Sequence, residues 1–187
     1  MRSLGMILVA AWFVASARPA GAQASFEVGG LYVSLSGTDF QAVNGGIGGD
    51  AQLRFRLGPS PISLGIGGQY TTHGVDNVTP NFNVWGAFIE PRVALLPGGS
   101  PIRHYLAARG AYLHQSTSQN ATSATANGVL VGGGGGLLLG LGGMHLDVGV
   151  LVALAKFGEV KINGAGTGFK PNGTVMVLRA GLVFGGQ

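Results

Sequence analysis

Two groups of residues in this chain have the types and spacing for chemistry. The first is His114-Gln115-Ser116. A serine hydroxyl becomes a nucleophile when a base beside it takes its proton. Residues i and i+2 of an extended segment share a face, which puts His114 and Ser116 on one side. The second group is larger: Asp50, Arg54, Arg56, Glu90, Arg92, Arg103, Arg109, Asp147 and Arg179 recur among apolar residues. Arginine forks grip carboxylates in desolvated settings, so this set has the makings of a buried ion network. Metal and cofactor chemistry finds no such support. His73, His104, His114 and His145 are scattered without ligand spacing, and no cofactor motif is present.

The elements that position these residues are strands. In IGGDAQLRFRL, Ile47, Ala51, Leu53, Phe55 and Leu57 alternate with Gly48, Asp50, Gln52, Arg54 and Arg56, the period of a pleated strand. The same alternation recurs over 26–36 (Leu31, Val33 and Leu35 on the apolar face), 62–71, 82–95, 102–114, 144–155 and 174–184. In each charged segment an apolar face opposes arginine or carboxylate: Trp85 and Ile89 against Glu90 and Arg92, Leu106 and Tyr112 against Arg103 and Arg109, Leu146 and Val150 against His145 and Asp147, Leu178 and Phe184 against Arg179.

The eighth strand is VLVGGGGGLLLGLGG, Val129–Gly143. It is not a phosphate loop, because no Gly-Lys-Ser/Thr follows the glycines. Nor is it a membrane helix, since each glycine costs about 1 kcal/mol against alanine there. As a strand it puts Val129, Val131, Leu137, Leu139 and Leu141 on one face. Gly132, Gly134 and Gly136 fall on the other, between Leu130 and Leu138, where they leave room for Arg103 and Arg109 from the preceding strand.

The links alternate in length. Gly58–Pro61, Leu96–Pro101 and Leu141–Gly143 are short and rich in Gly or Pro, whereas Gly37–Gly46, Thr72–Asn81, Gln115–Gly128 and Lys156–Gly173 are longer and polar. Short turns at one end and long loops at the other are the signature of transmembrane barrels. Composition agrees: of 187 residues, 46% are hydrophobic, only 10% are charged and 36 are glycine, far from the balance of a soluble domain or a disordered one. Residues 1–24 read as a cleaved signal peptide, with Arg2, the apolar run Leu4–Ala17 and small-residue sites that place the cut after Ala22 or Ala24. The barrel domain is then 25–187. Beyond the signal, nine basic residues face seven acidic ones with no basic cluster, which gives nucleic acid nothing to bind. No cysteine is present to staple an exported fold.

The expectation is an all-β, eight-stranded, antiparallel up-and-down barrel with its apolar face to lipid and an interior charge network of Asp50, Arg54, Glu90, Arg92, Arg109, Asp147 and Arg179. The signal peptide, the eight alternating segments, FIEPRVALLPG, HLDVGVLVALAKFG and the closing VLRAGLVF resemble the small OmpA/OmpX-like outer-membrane barrels of diderm bacteria. That resemblance implies a bacterial outer membrane location and a monomeric state, contact with outer-membrane lipid and lipopolysaccharide, and delivery by periplasmic chaperones to the barrel assembly machinery. It also makes Phe184 the assembly signal, although Gly185, Gly186 and Gln187 follow it. The implied role is non-enzymatic, in envelope structure or surface interaction through outer loops. Two alternatives stand beside it. His114 and Ser116 resemble the His-x-Ser element of outer-membrane lipid A deacylases, whose third member is a glutamate, here Glu159. A soluble, lipocalin-like periplasmic barrel is the other.

Overall fold

The computed structural model describes residues 22–76, 78–95, 102–119 and 122–185; the signal-peptide reading over 1–24 lies outside them except for its last three residues. The chain forms β1 (Ala22–Ser36), β2 (Val43–Leu57), β3 (Ile62–Val75), β4 (Val78–Ala94), β5 (Ile102–Gln119), β6 (Thr122–Gly140), β7 (Met144–Phe157), β8 (Lys161–Ile162), β9 (Ala165–Gly166) and β10 (Asn172–Gly185), with one 3-10 turn at Thr38–Phe40. Eight of these are long, and each pairs antiparallel with its sequence neighbour. The sheet closes on itself where β1 meets β10, with Phe26 opposite Phe184. It is an eight-stranded antiparallel β-barrel. Closure removes the unpaired edges that would otherwise have to be solvated.

The apolar face points outward. Ile47 is 66% exposed, Val131 67% and Leu154 69%, whereas a water-soluble barrel of the lipocalin kind would turn these positions inward. An exposed apolar surface of this extent calls for lipid around it. Aromatic side chains fall in two outward groups, as girdles at bilayer interfaces do. Tyr32, Tyr70, Trp85 and Tyr112 lie toward the long-link end, and Phe26, Phe55 and Phe184 toward the short-turn end.

Two expectations fail here. Leu31 and Val33 of β1 point into the barrel, and Phe26, Val28 and Tyr32 take the outward face. Both faces of β1 are apolar, and the inward one is needed to fill the interior near the long-link end. The long links are also largely sheet. β5 and β6 stay paired from Leu113–Gly128 out to Gln119–Thr122, and β3 and β4 out to Val75–Val78. The Ser, Thr and Asn residues there lack apolar contrast, yet their backbone groups still find partners in a hairpin. The short β8 adds to β6 through Ala124–Ile162 and Thr125–Lys161, and β9 pairs with β8.

The interior is filled in two stacked layers. Toward the long-link end lies an apolar plug that includes Leu31, Val33, Phe40, Phe82, Phe88, Leu113, Leu130 and Phe157. Beneath it, toward the short turns, lies the charge.

Candidate functional site

The inward side chains of six strands meet in one ion network. β1 contributes Glu27, β2 Asp50 and Arg54, β4 Glu90 and Arg92, β5 Arg109, β7 Asp147 and β10 Arg179, and every one of them is buried. Glu90 accepts from Arg54 Nη2 at 2.8 Å, from Arg92 Nε at 2.8 Å and from Arg109 Nε at 2.7 Å. Glu27 accepts from Arg54 Nε at 2.7 Å and from the Gln52 amide, and Arg92 Nη2 lies 3.4 Å away. Asp50 accepts from Arg179 Nε at 2.9 Å and from Arg109 Nη2 at 3.3 Å. Asp147 pairs with Arg92 Nη1 at 2.9 Å and with Arg179, and accepts a hydrogen bond from the Tyr105 hydroxyl at 2.6 Å.

Four guanidiniums thus face four carboxylates, and each charge touches at least two of the opposite sign. Burial of charge is tolerated only with this degree of pairing. Aromatic faces complete the desolvation: the Arg92 guanidinium carbon lies 4.2 Å from the Tyr105 ring centroid and that of Arg109 lies 4.0 Å from the Phe88 centroid.

All seven residues named from sequence for the interior, Asp50, Arg54, Glu90, Arg92, Arg109, Asp147 and Arg179, meet in this cluster. Glu27, Gln52 and Tyr105 were missed. Glu27 shares its face with Leu31 and Val33, so it sat on the segment whose inward side was misread; a carboxylate on an otherwise uncharged strand was the available signal.

The space for arginine comes from a different place than the glycine run suggested. A Cβ at Gly65 of β3 would lie 2.9 Å from Arg54 Nη2 and 2.2 Å from Gln52 Oε1, so that glycine does make room for the network. On β6, a Cβ at Gly136 would meet the Tyr105 hydroxyl at 2.4 Å. Gly132 and Gly134 abut the backbone of β7, at 2.4 Å from the Val152 carbonyl oxygen and 2.0 Å from that of Val150. The β6 glycines therefore permit close approach of β6 to β7 and seat Tyr105. Arg109 turns away toward Glu90. Arg103 donates instead to His145 Nε2 at 2.8 Å, nearer the short turns.

His114 and Ser116 share the outward face of β5. The imidazole hydrogen bonds through Nδ1 to Asn127 Oδ1 at 2.7 Å, and its ring centroid lies 5.1 Å from that of Trp85. The Glu159 carboxylate accepts from the Gly168 N–H at 2.6 Å, so the side chain that orients His114 is Asn127. Phe184 is outward and faces Phe26 across the closing seam.

No family profile matches the sequence, and neither does any characterised protein. Solved structures do match. Neisserial surface protein A is 17% identical with a TM-score of 0.59, over 88% of this chain and 97% of that one. The attachment invasion locus protein Ail of Yersinia pestis, solved with the heparin analogue sucrose octasulfate, is 12% identical with a TM-score of 0.55, over 88% of this chain and 99% of that one. A closed antiparallel sheet of eight strands is shared with these proteins: the chain has the fold of the small eight-stranded outer-membrane β-barrels.

Proposed function

We propose that the protein is a bacterial outer-membrane barrel with a non-enzymatic role, in which a filled and rigid barrel holds a protruding sheet outside the cell. The observation that carries this reading is the extension of β5 and β6 beyond the Tyr112 level, reinforced by β8 and β9, above an interior packed with side chains. Function then resides on the outer surface, where exposed segments tolerate variation. Outer-membrane lipid and lipopolysaccharide surround the apolar wall. Periplasmic chaperones and the barrel assembly machinery deliver a monomer whose Phe184 is the assembly signal. The short turns face the periplasm.

The test compares cells carrying the parent with cells in which residues 116–125 are replaced by Asn-Gly. Loss of surface adhesion with intact detergent resistance identifies a surface-interaction role. Detergent sensitivity only on removal of the whole protein identifies a structural one. A parent that stays in the soluble periplasmic fraction and shows no change of electrophoretic mobility on boiling refutes both.

A second reading is lipid A hydrolysis. Donation from His114 Nδ1 to Asn127 leaves Nε2 with its lone pair on the face that carries Ser116. A neutral amide orients an imidazole but does little to stabilise the imidazolium, which places this reading second. Altered lipid A on expression, abolished by Ser116→Ala, would establish it.

A further inference from the structure

Sorting the charged residues by position leaves an imbalance in one place. Four arginines and four carboxylates neutralise one another in the ion network. Lys156, Lys161 and Lys170 lie exposed toward the long-link end, and Asp39, Asp76 and Glu159 lie there too, Asp39 and Glu159 half-buried, each accepting a hydrogen bond. Arg56 and Arg103 remain, with no side-chain carboxylate left to match them.

Both sit at the periplasmic mouth. Arg56 is the last inward residue of β2, opposite Ser63, and Arg103 is the first inward residue of β5, opposite Leu138. They line a recess with Ser63, Arg92, Tyr105 and Leu138. Its floor includes Arg54 and Arg92 of the network, each paired with carboxylates on the far side. Arg103 donates to His145 Nε2 at 2.8 Å; a guanidinium cannot accept, so the imidazole is the neutral acceptor and adds no negative charge. That tautomer puts the proton on His145 Nδ1, a buried atom with no hydrogen-bond partner in the structure. Two half-buried guanidiniums face the recess with the Ser63 hydroxyl, whose oxygen accepts from Arg54 Nη1 at 3.3 Å and so leaves its hydrogen to donate, and no carboxylate among the described residues lines it.

We propose that this mouth is an oxyanion site for a phosphate group, held between the Arg56 and Arg103 forks with Ser63 as a further donor. Arginine forks match the tetrahedral oxygens of phosphate in a way that a point charge does not. The group can belong to a phospholipid of the inner leaflet, reaching over the short Gly58–Pro61 turn, or to soluble phosphate. The binding itself does not depend on the surface role proposed above.

The test uses the full barrel with 15N-labelled arginine, refolded in zwitterionic detergent and titrated with inorganic phosphate at constant ionic strength. The Nε–H signals of Arg56 and Arg103, assigned from Arg56→Gln and Arg103→Gln, should shift and saturate. The network signals of Arg54 and Arg109 should stay in place. Each single variant should weaken binding about tenfold, as loss of one charged hydrogen-bonding partner does, and Arg103→Lys should recover only part of it. Vesicles of phosphatidylcholine with and without phosphatidylglycerol separate the sources. A shift on adding phosphatidylglycerol alone assigns the site to lipid, and a shift only on adding phosphate assigns it to the soluble ion. A linear response, or an unchanged response in the folded double variant, overturns the proposal.

Discussion

Replacing Glu90 by glutamine tests the interior network most directly. Glutamine keeps the shape of the side chain and removes one negative charge that three arginines share. After the change Arg54 retains Glu27, Arg109 retains Asp50 at 3.3 Å, and Arg92 retains Glu27 and Asp147. The buried cluster then carries four positive charges against three negative ones. Breaking one side of a buried pair costs about 3–5 kcal/mol, and the retained partners place this loss near the lower end, about 3 kcal/mol. Trp85 is the sole tryptophan beyond residue 24 and sits outward, 53% exposed, so its fluorescence reports unfolding in urea from phospholipid vesicles. Adding Arg109→Gln restores charge balance and should return part of the loss, a non-additivity of about 0.5–3 kcal/mol. A single variant within about 1 kcal/mol of the parent, together with strict additivity in the pair, would refute the argument that mutual neutralisation holds these charges inside.

Three further outcomes follow from the same geometry. Gly136→Leu should sharply lower the yield of heat-modifiable barrel, because a Cβ there would lie 2.4 Å from the Tyr105 hydroxyl and 2.5 Å from the Val148 carbonyl oxygen, and Tyr105→Ala should restore only the part that the phenol blocks; Gly133→Ala, whose Cβ would lie an ordinary 3.5 Å from the Ala107 carbonyl oxygen, should fold normally. Ile89→Arg, on the outward face between Trp85 and Leu95, should cost about 2–4 kcal/mol in urea titrations, the range for arginine against the bilayer midplane. Ser116→Ala should leave the lipid A mass spectrum of expressing cells identical to that of the parent; a difference would favour the hydrolase reading.

The barrel was legible because its strands carry two signals at once, apolar contrast between faces and punctuation by Gly and Pro. Where one signal faded, the reading failed. β1 has apolar residues on both faces, so alternation could not say whether Leu31 or Tyr32 points inward, and Glu27 was overlooked for the same reason. The outer parts of β5 and β6, from Gln115 to Gly128, have turn-like composition, and only backbone pairing reveals them as sheet. Arginines with interleaved carboxylates identified most of the network, since charges on a strand inside a lipid wall must face inward. Which glycine yields space to which side chain depends on stagger between strands. The run in β6 was therefore credited with room for arginine that Gly65 of β3 provides.

The seam between β1 and β10 bears on how the barrel forms. Arg179, near the end of the chain, pairs with Asp50, 129 residues earlier, and reaches Glu27 on the first strand. Until the two ends of the sheet meet, neither Glu27 nor Asp50 has its full complement of partners, and Arg179 has at most Asp147. An open sheet in lipid would hold both bare backbone edges and unneutralised charge, each expensive. Partly closed forms are therefore penalised twice, and closure becomes a concerted event in which the last strand supplies the charge that the first two lack. Such long-range pairing makes assembly slow and, once complete, makes opening correspondingly cooperative.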